Sequence, residues 1–118
     1  MDGFEKIGEK RWEATRDMEF FYGKNDSLKA EIDEGFVTDF ATIPFPVCLI
    51  YPSDREDYAL PSAVHDRLYA TKDYSKLMAD AIFYQAMKES GVNLFTRTLF
   101  FIGVALFGWF RWNKANTK

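Results

Sequence analysis

The apolar pattern of the chain changes period once, and this change limits what it can fold into. Before residue 34 the pattern is that of strands. Leu28, Ala30 and Ile32 alternate with Lys29, Glu31 and Asp33, the period of a half-buried strand. Trp12 to Tyr22 is rich in β-prone residues, and Gly23-Lys24-Asn25-Asp26-Ser27 between the two reads as a turn. After residue 60 the period becomes helical. A chain that places strands first and helices after is expected to be α+β. The expected architecture is an N-terminal antiparallel β-ribbon, a long ordered loop and three helices. Residues 1 to 10 carry no clear pattern.

At 118 residues a single domain is expected. Its parts would be a ribbon over 1–34, a loop over 35–60, a helical core over 61–112 and a polar tail over 113–118. The first helix is expected from about Pro61, since proline suits a first turn, to Thr71. The second is capped by Ser75 and stopped at Gly91, and the third is capped by Asn93 and ends near Trp109 or Trp112. On the second helix Leu77, Ala81, Tyr84 and Met87 or Lys88, with Met78, Ile82 and Phe83, form a wide apolar face, and Asp80 sits in the middle of it. The third helix is apolar nearly all round, which suits burial, self-association or a lipid surface. Its apolar run of twelve residues, Leu99 to Phe110, falls short of the roughly twenty needed to span a membrane.

Composition narrows the functions. A formal net charge of −3 gives no support to nucleic-acid binding, and Arg97, Arg111, Lys114 and Lys118 suit a helix C-terminus. Cys48 is the one cysteine, so neither an intrachain disulfide nor a zinc site of several thiolates can form. Its apolar neighbours make it a core residue rather than a nucleophile. Met1 to Lys10 is polar and unlike a signal peptide, so a chain that is not exported is expected.

Chemistry concentrates around the only histidine, in Ala63-Val64-His65-Asp66-Arg67-Leu68-Tyr69. On a helix His65 and Tyr69 share a face, while Asp66 points about 100° away. An imidazole acts as a general base when a second group fixes its tautomer, and Asp80 on the next helix can supply that hydrogen bond. Asp66 and Asp39 are hard oxygen ligands, suited with backbone carbonyls to calcium or magnesium. The same spacing equally suits a His–Asp hydrogen bond inside a core, with Tyr69 completing the network. Between Gly35 and Pro44, Thr38, Asp39 and Thr42 interleave with Phe36, Phe40 and Ile43, a polar loop pinned by buried anchors.

These motifs resemble two families. Gly35-Phe36-Val37-Thr38-Asp39-Phe40-Ala41-Thr42-Ile43-Pro44, His65-Asp66-Arg67-Leu68-Tyr69 and Ala79-Asp80-Ala81-Ile82-Phe83 resemble a phage- and prophage-encoded family of unassigned function, over about residues 28 to 110. Less closely, His65-Asp66-x-x-Tyr69, Asp80-x-x-Phe83-Tyr84-x-x-Met87-Lys88 and Val104 to Gly108 are similar to the prokaryotic secreted phospholipases A2. That resemblance implies a phospholipase A2-like helical core with His65 as general base, Asp80 as its orienting carboxylate and Tyr69 bonded to the pair. It also implies a calcium ion held by Asp66, by Asp39 and by the backbone around Phe40, and a lipid or other ester as substrate. The chain departs from those phospholipases in its single cysteine, in a loop poor in glycine and in a short His65–Asp80 interval. The alternative is a non-catalytic tail, capsid or accessory protein. Its partners would be phage structural proteins, or a second copy bound through the C-terminal apolar helix.

Overall fold

A computed structural model describes residues 3–8, 11–38 and 56–114. Among the described residues the architecture is α+β: antiparallel strands first, then four helices, three of them long. The strands are β1 (Phe4–Gly8), β2 (Arg11–Ala14), β3 (Met18–Tyr22), β4 (Leu28–Ile32) and β5 (Val37–Thr38). One sheet has the order β1-β2-β5, and β3 and β4 pair as a separate two-stranded sheet.

The β3–β4 pair is the ribbon the alternation predicts, with Tyr22 opposite Leu28 and Met18 opposite Ile32. Its turn begins at Gly23, whose φ of +84° lies where side chains are disfavoured. The single strand expected over Trp12–Tyr22 is instead two strands belonging to different sheets. The polar run Thr15-Arg16-Asp17 separates them, and Asp17 leaves the ladder to accept the Glu34 N–H at 2.8 Å. β1 lies where no pattern was legible, since only Phe4 of its five residues is buried. Val37 and Thr38, expected in a loop, form β5 against Glu13 and Trp12.

The helices are α1 (Glu56–Thr71), α2 (Lys76–Glu89), α3 (Leu94–Phe107) and α4 (Trp109–Lys114). α1 starts five residues before the expected Pro61, which lies inside the helix. One proline near the start forgoes a single backbone bond, and the helix carries through it. The caps fall where expected. Ser75 accepts the Met78 N–H at 3.2 Å, and Asn93 accepts the Thr96 N–H at 2.9 Å. Gly91 follows α2 with φ +90°. The expected third helix is divided at Gly108 into α3 and α4.

α1 packs against β4 on one side and α2 on the other, and α2 packs on α3. The larger core joins Phe4, Ala14, Ala30 and Ile32 to Val64, Leu68 and Tyr69 of α1 and Ile82 of α2. A second cluster holds Phe83 and Met87 against Phe100 and Val104. The apolar face of α2 is rotated from the one expected. Ala79, Ile82, Phe83, Ala86 and Met87 are buried together with Lys76 and Asp80, while Leu77 is 71% exposed. Of α3 only Thr96, Phe100, Gly103 and Val104 are buried, so its apolar residues cover both an inner and an outer face.

Candidate functional site

The site grows from where α1, α2 and the end of α3 meet. α1 carries His65 and Tyr69 one turn apart on its buried face, and α2 presents Asp80 to them. The connection between the two helices is short, residues 72–75. It is anchored by the Tyr74 hydroxyl, which donates to the Lys29 carbonyl of β4 at 3.0 Å. Such a connection is what a His65–Asp80 interval of fifteen residues needs.

Asp80 is the hub. Its Oδ1 lies 2.7 Å from His65 Nε2 and accepts the Tyr69 hydroxyl at 2.7 Å. Its Oδ2 accepts the Lys76 ammonium at 2.8 Å. That ammonium also donates to the Val104 carbonyl at 2.8 Å, one of the carbonyls at the negative end of α3, and lies 4.9 Å from the Trp109 ring centre. Lys76, Asp80 and His65 are all buried, and His65 is 2% exposed. Its imidazole is held between Tyr69 and Phe83, with ring centres at 4.1 and 4.7 Å.

The protonation states follow from burial and pairing. Burial pulls His65 below its ordinary pKa against the opposing pull of Asp80 and Asp66, and the nearby Arg111 adds to the fall. Burial also resists the charge on Asp80, but hydrogen bonds from His65, Lys76 and Tyr69 outweigh it and hold that carboxyl below its usual range. Burial and then the bond to Asp80 push the Tyr69 phenol up. One cation, Lys76, thus balances one anion, Asp80, and His65 is neutral at pH 7. A carboxylate can only accept, so Nε2 carries the proton and Nδ1 is the basic nitrogen.

Asp66 faces elsewhere, as its place on the helix requires. Its Oδ2 accepts the Thr38 hydroxyl of β5 at 2.9 Å, and its Oδ1 accepts the Arg111 guanidinium of α4 at 2.9 Å. Two clefts flank this pair. One of about 310 Å³ is lined by Arg11, Val37, Thr38, Asp66 and Arg111, and one of about 410 Å³ by Asp66, Tyr69, Phe110, Arg111 and Lys114. Asp39, Phe40 and Cys48 lie outside the described residues. Among the described residues no group of three or more His, Cys, Asp or Glu side chains is arranged to hold a metal. A calcium ion at Asp66 would share that carboxylate with the Thr38 hydroxyl and the Arg111 guanidinium.

The protein family described as "Protein of unknown function (DUF1353)" matches residues 12–104. The chain belongs to that family. No curated protein and no solved structure matches it. In this DUF1353 chain the matched stretch contains His65, Asp66, Tyr69, Lys76 and Asp80, and it ends before Arg111.

The structure therefore brings together His65, Asp80 and Tyr69 and sets Asp66 apart with Thr38. Sequence reasoning missed Lys76 and Arg111. Lys76 had a legible signal, since it stands four residues before Asp80, the spacing of a helical ion pair. Arg111 had none, for it is 45 residues from Asp66.

Proposed function

We propose that the chain is a hydrolase of esters, with a lipid ester as one candidate substrate, and that His65 is its general base. The observation that supports this reading is the hydrogen bond from His65 Nε2 to Asp80 Oδ1 at 2.7 Å; under the reading Nδ1 is the nitrogen that accepts a proton. In the proposed step Nδ1 takes a proton from water as the water oxygen bonds to the ester carbonyl carbon, and the carbonyl π pair moves onto its oxygen. When that pair returns, the C–O bond to the alcohol breaks, and the imidazolium returns its proton to the leaving oxygen. Asp80 stabilises the imidazolium and Tyr69 holds Asp80 in place, so both are positioning residues.

The positive charge beside this site is the Arg111 guanidinium, held by Asp66, with Lys114 lining the same cleft. That pairing supports an ester carrying a negative group, and no step passes through calcium. The test is hydrolysis of p-nitrophenyl esters and of phosphatidylglycerol, with and without chelator. Turnover that survives chelation and is lost in folded His65→Gln is expected; no turnover by the wild-type protein on either class overturns the reading.

A second reading is favoured by one observation, the enclosure of His65 at 2% exposure. There the network serves only to pin α1, α2 and α3 together in a non-catalytic phage structural or accessory protein. Under it His65→Gln lowers stability and nothing else.

A further inference from the structure

α3 and α4 present an outer face that is left uncovered among the described residues. The backbone stays hydrogen-bonded across their join, Gly108 N–H to Val104 O at 2.8 Å and Trp112 N–H to Gly108 O at 2.9 Å. Ile102, Leu106, Phe107, Trp109 and Phe110 therefore form one near-continuous surface, each three or four residues from at least one other. Each is about half to two-thirds exposed, with Phe110 at 69%. Apolar side chains exposed singly are ordinary, but five together, three of them aromatic, mark a contact surface.

Charge selects the occupant. Residues 91–118 contain Arg97, Arg111, Lys114 and Lys118 and no acidic residue, whereas residues 1–90 hold eleven basic and eighteen acidic side chains. The molecule is thus acidic apart from the segment that bears the apolar face. Lys114 stands at the end of that face, its ammonium 4.8 Å from the Phe110 ring centre, and the neighbouring Arg111 is held by Asp66. Aromatic and aliphatic residues rimmed by cations suit the headgroup region of an anionic bilayer. Two copies meeting through the same faces would bring like charges together. Among the described residues no helix is long and apolar enough to cross a membrane, so the contact is one of lying on the surface. We infer that the α3–α4 face docks the protein on an anionic lipid surface. Phe110 and Lys114 line both this face and the 410 Å³ cleft beside Asp66 and Tyr69, so docking turns that cleft toward the headgroups.

The test is co-sedimentation of the wild-type chain with vesicles of phosphatidylcholine alone and of phosphatidylcholine with phosphatidylglycerol. Trp emission is followed in parallel, because Trp109 is on the face. Binding to the anionic vesicles with a blue shift is expected, weakened by salt. Phe107→Ser with Phe110→Ser, both at exposed positions, should weaken it about tenfold or more. Lys114→Glu should weaken it roughly fivefold. Failure to bind anionic vesicles overturns the inference, as does binding that neither change weakens. A dimer in sedimentation, dispersed by the double serine variant and without vesicle binding, assigns the face to a second copy and equally overturns it. Vesicle binding without ester cleavage would leave this inference standing while removing the hydrolase reading.

Discussion

Replacing Lys76 by methionine removes one partner of a buried pair and leaves the other in place. In the folded protein Asp80 Oδ2 would lose the ammonium that donates to it at 2.8 Å, and the Val104 carbonyl would lose the same ammonium. Methionine fills the channel of the aliphatic stem, so little cavity forms, and the penalty is that of a buried carboxylate without its cation. Breaking such a pair costs about 3–5 kcal/mol. For a chain of this length that lowers the melting temperature by roughly 10–20 °C. His65 would respond as well, since its imidazole is the next group able to take up charge against Asp80. The measurement is urea and thermal unfolding by circular dichroism of wild type, Lys76→Met, Asp80→Asn and the double variant. The double variant should be less destabilised than the sum of the singles by about 1.5 kcal/mol or more. A single-variant loss below about 1 kcal/mol, typical of an exposed pair, would refute the account of Asp80 as a buried hub. So would strict additivity.

Three further outcomes follow from the same geometry. Wild-type stability should fall on acidification below pH 6.5, the ordinary value for His65. The unfolded chain then takes up a proton that the folded chain refuses, and His65→Gln should flatten this part of a denaturant-midpoint-against-pH curve. The Asp80 contribution runs the same way at lower pH: it is present above the ordinary carboxyl value and lost as pH falls through the depressed one. Gly108→Ala would place its Cβ 2.6 Å from the Tyr69 hydroxyl and against the Val104 carbonyl, so it should cost about 1–3 kcal/mol and weaken the Tyr69–Asp80 bond, read by unfolding and by a perturbed Tyr69 ring signal. Leu77→Glu, at a position 71% exposed, should change stability by no more than about 0.5 kcal/mol in the same unfolding assay. A large loss there would restore the apolar face that the helical spacing suggested.

What was legible in the sequence was local. Ser75 and Asn93 cap their helices through side chain-to-backbone bonds three residues long, and the Leu28–Asp33 alternation is one strand's own pattern. Both are set by neighbours along the chain. The misreadings are places where tertiary contacts decide. β1 and β5 are held by pairing to β2, and their own residues carry little apolar pattern. Leu77 and Lys76 are adjacent on α2, and hydropathy alone puts the leucine in and the lysine out. The fold does the reverse, because α3 ends where Lys76 can meet both its carbonyls and Asp80. His65, Asp80 and Tyr69 were legible from motif spacing. That Asp66 meets Arg111 was not, since that pairing depends on how α4 lies against α1.

The claim on which both the site and its proposed chemistry rest is that His65 is neutral and protonated on Nε2. Nitrogen-detected NMR of ¹⁵N-histidine-labelled protein reads this without ambiguity, for the chain has one histidine. The predicted spectrum has a protonated Nε2 and a basic, unprotonated Nδ1 at pH 7, with the second proton taken up only below the ordinary 6.5. An imidazolium at pH 7, or a proton on Nδ1 with Nε2 bare, would contradict the account.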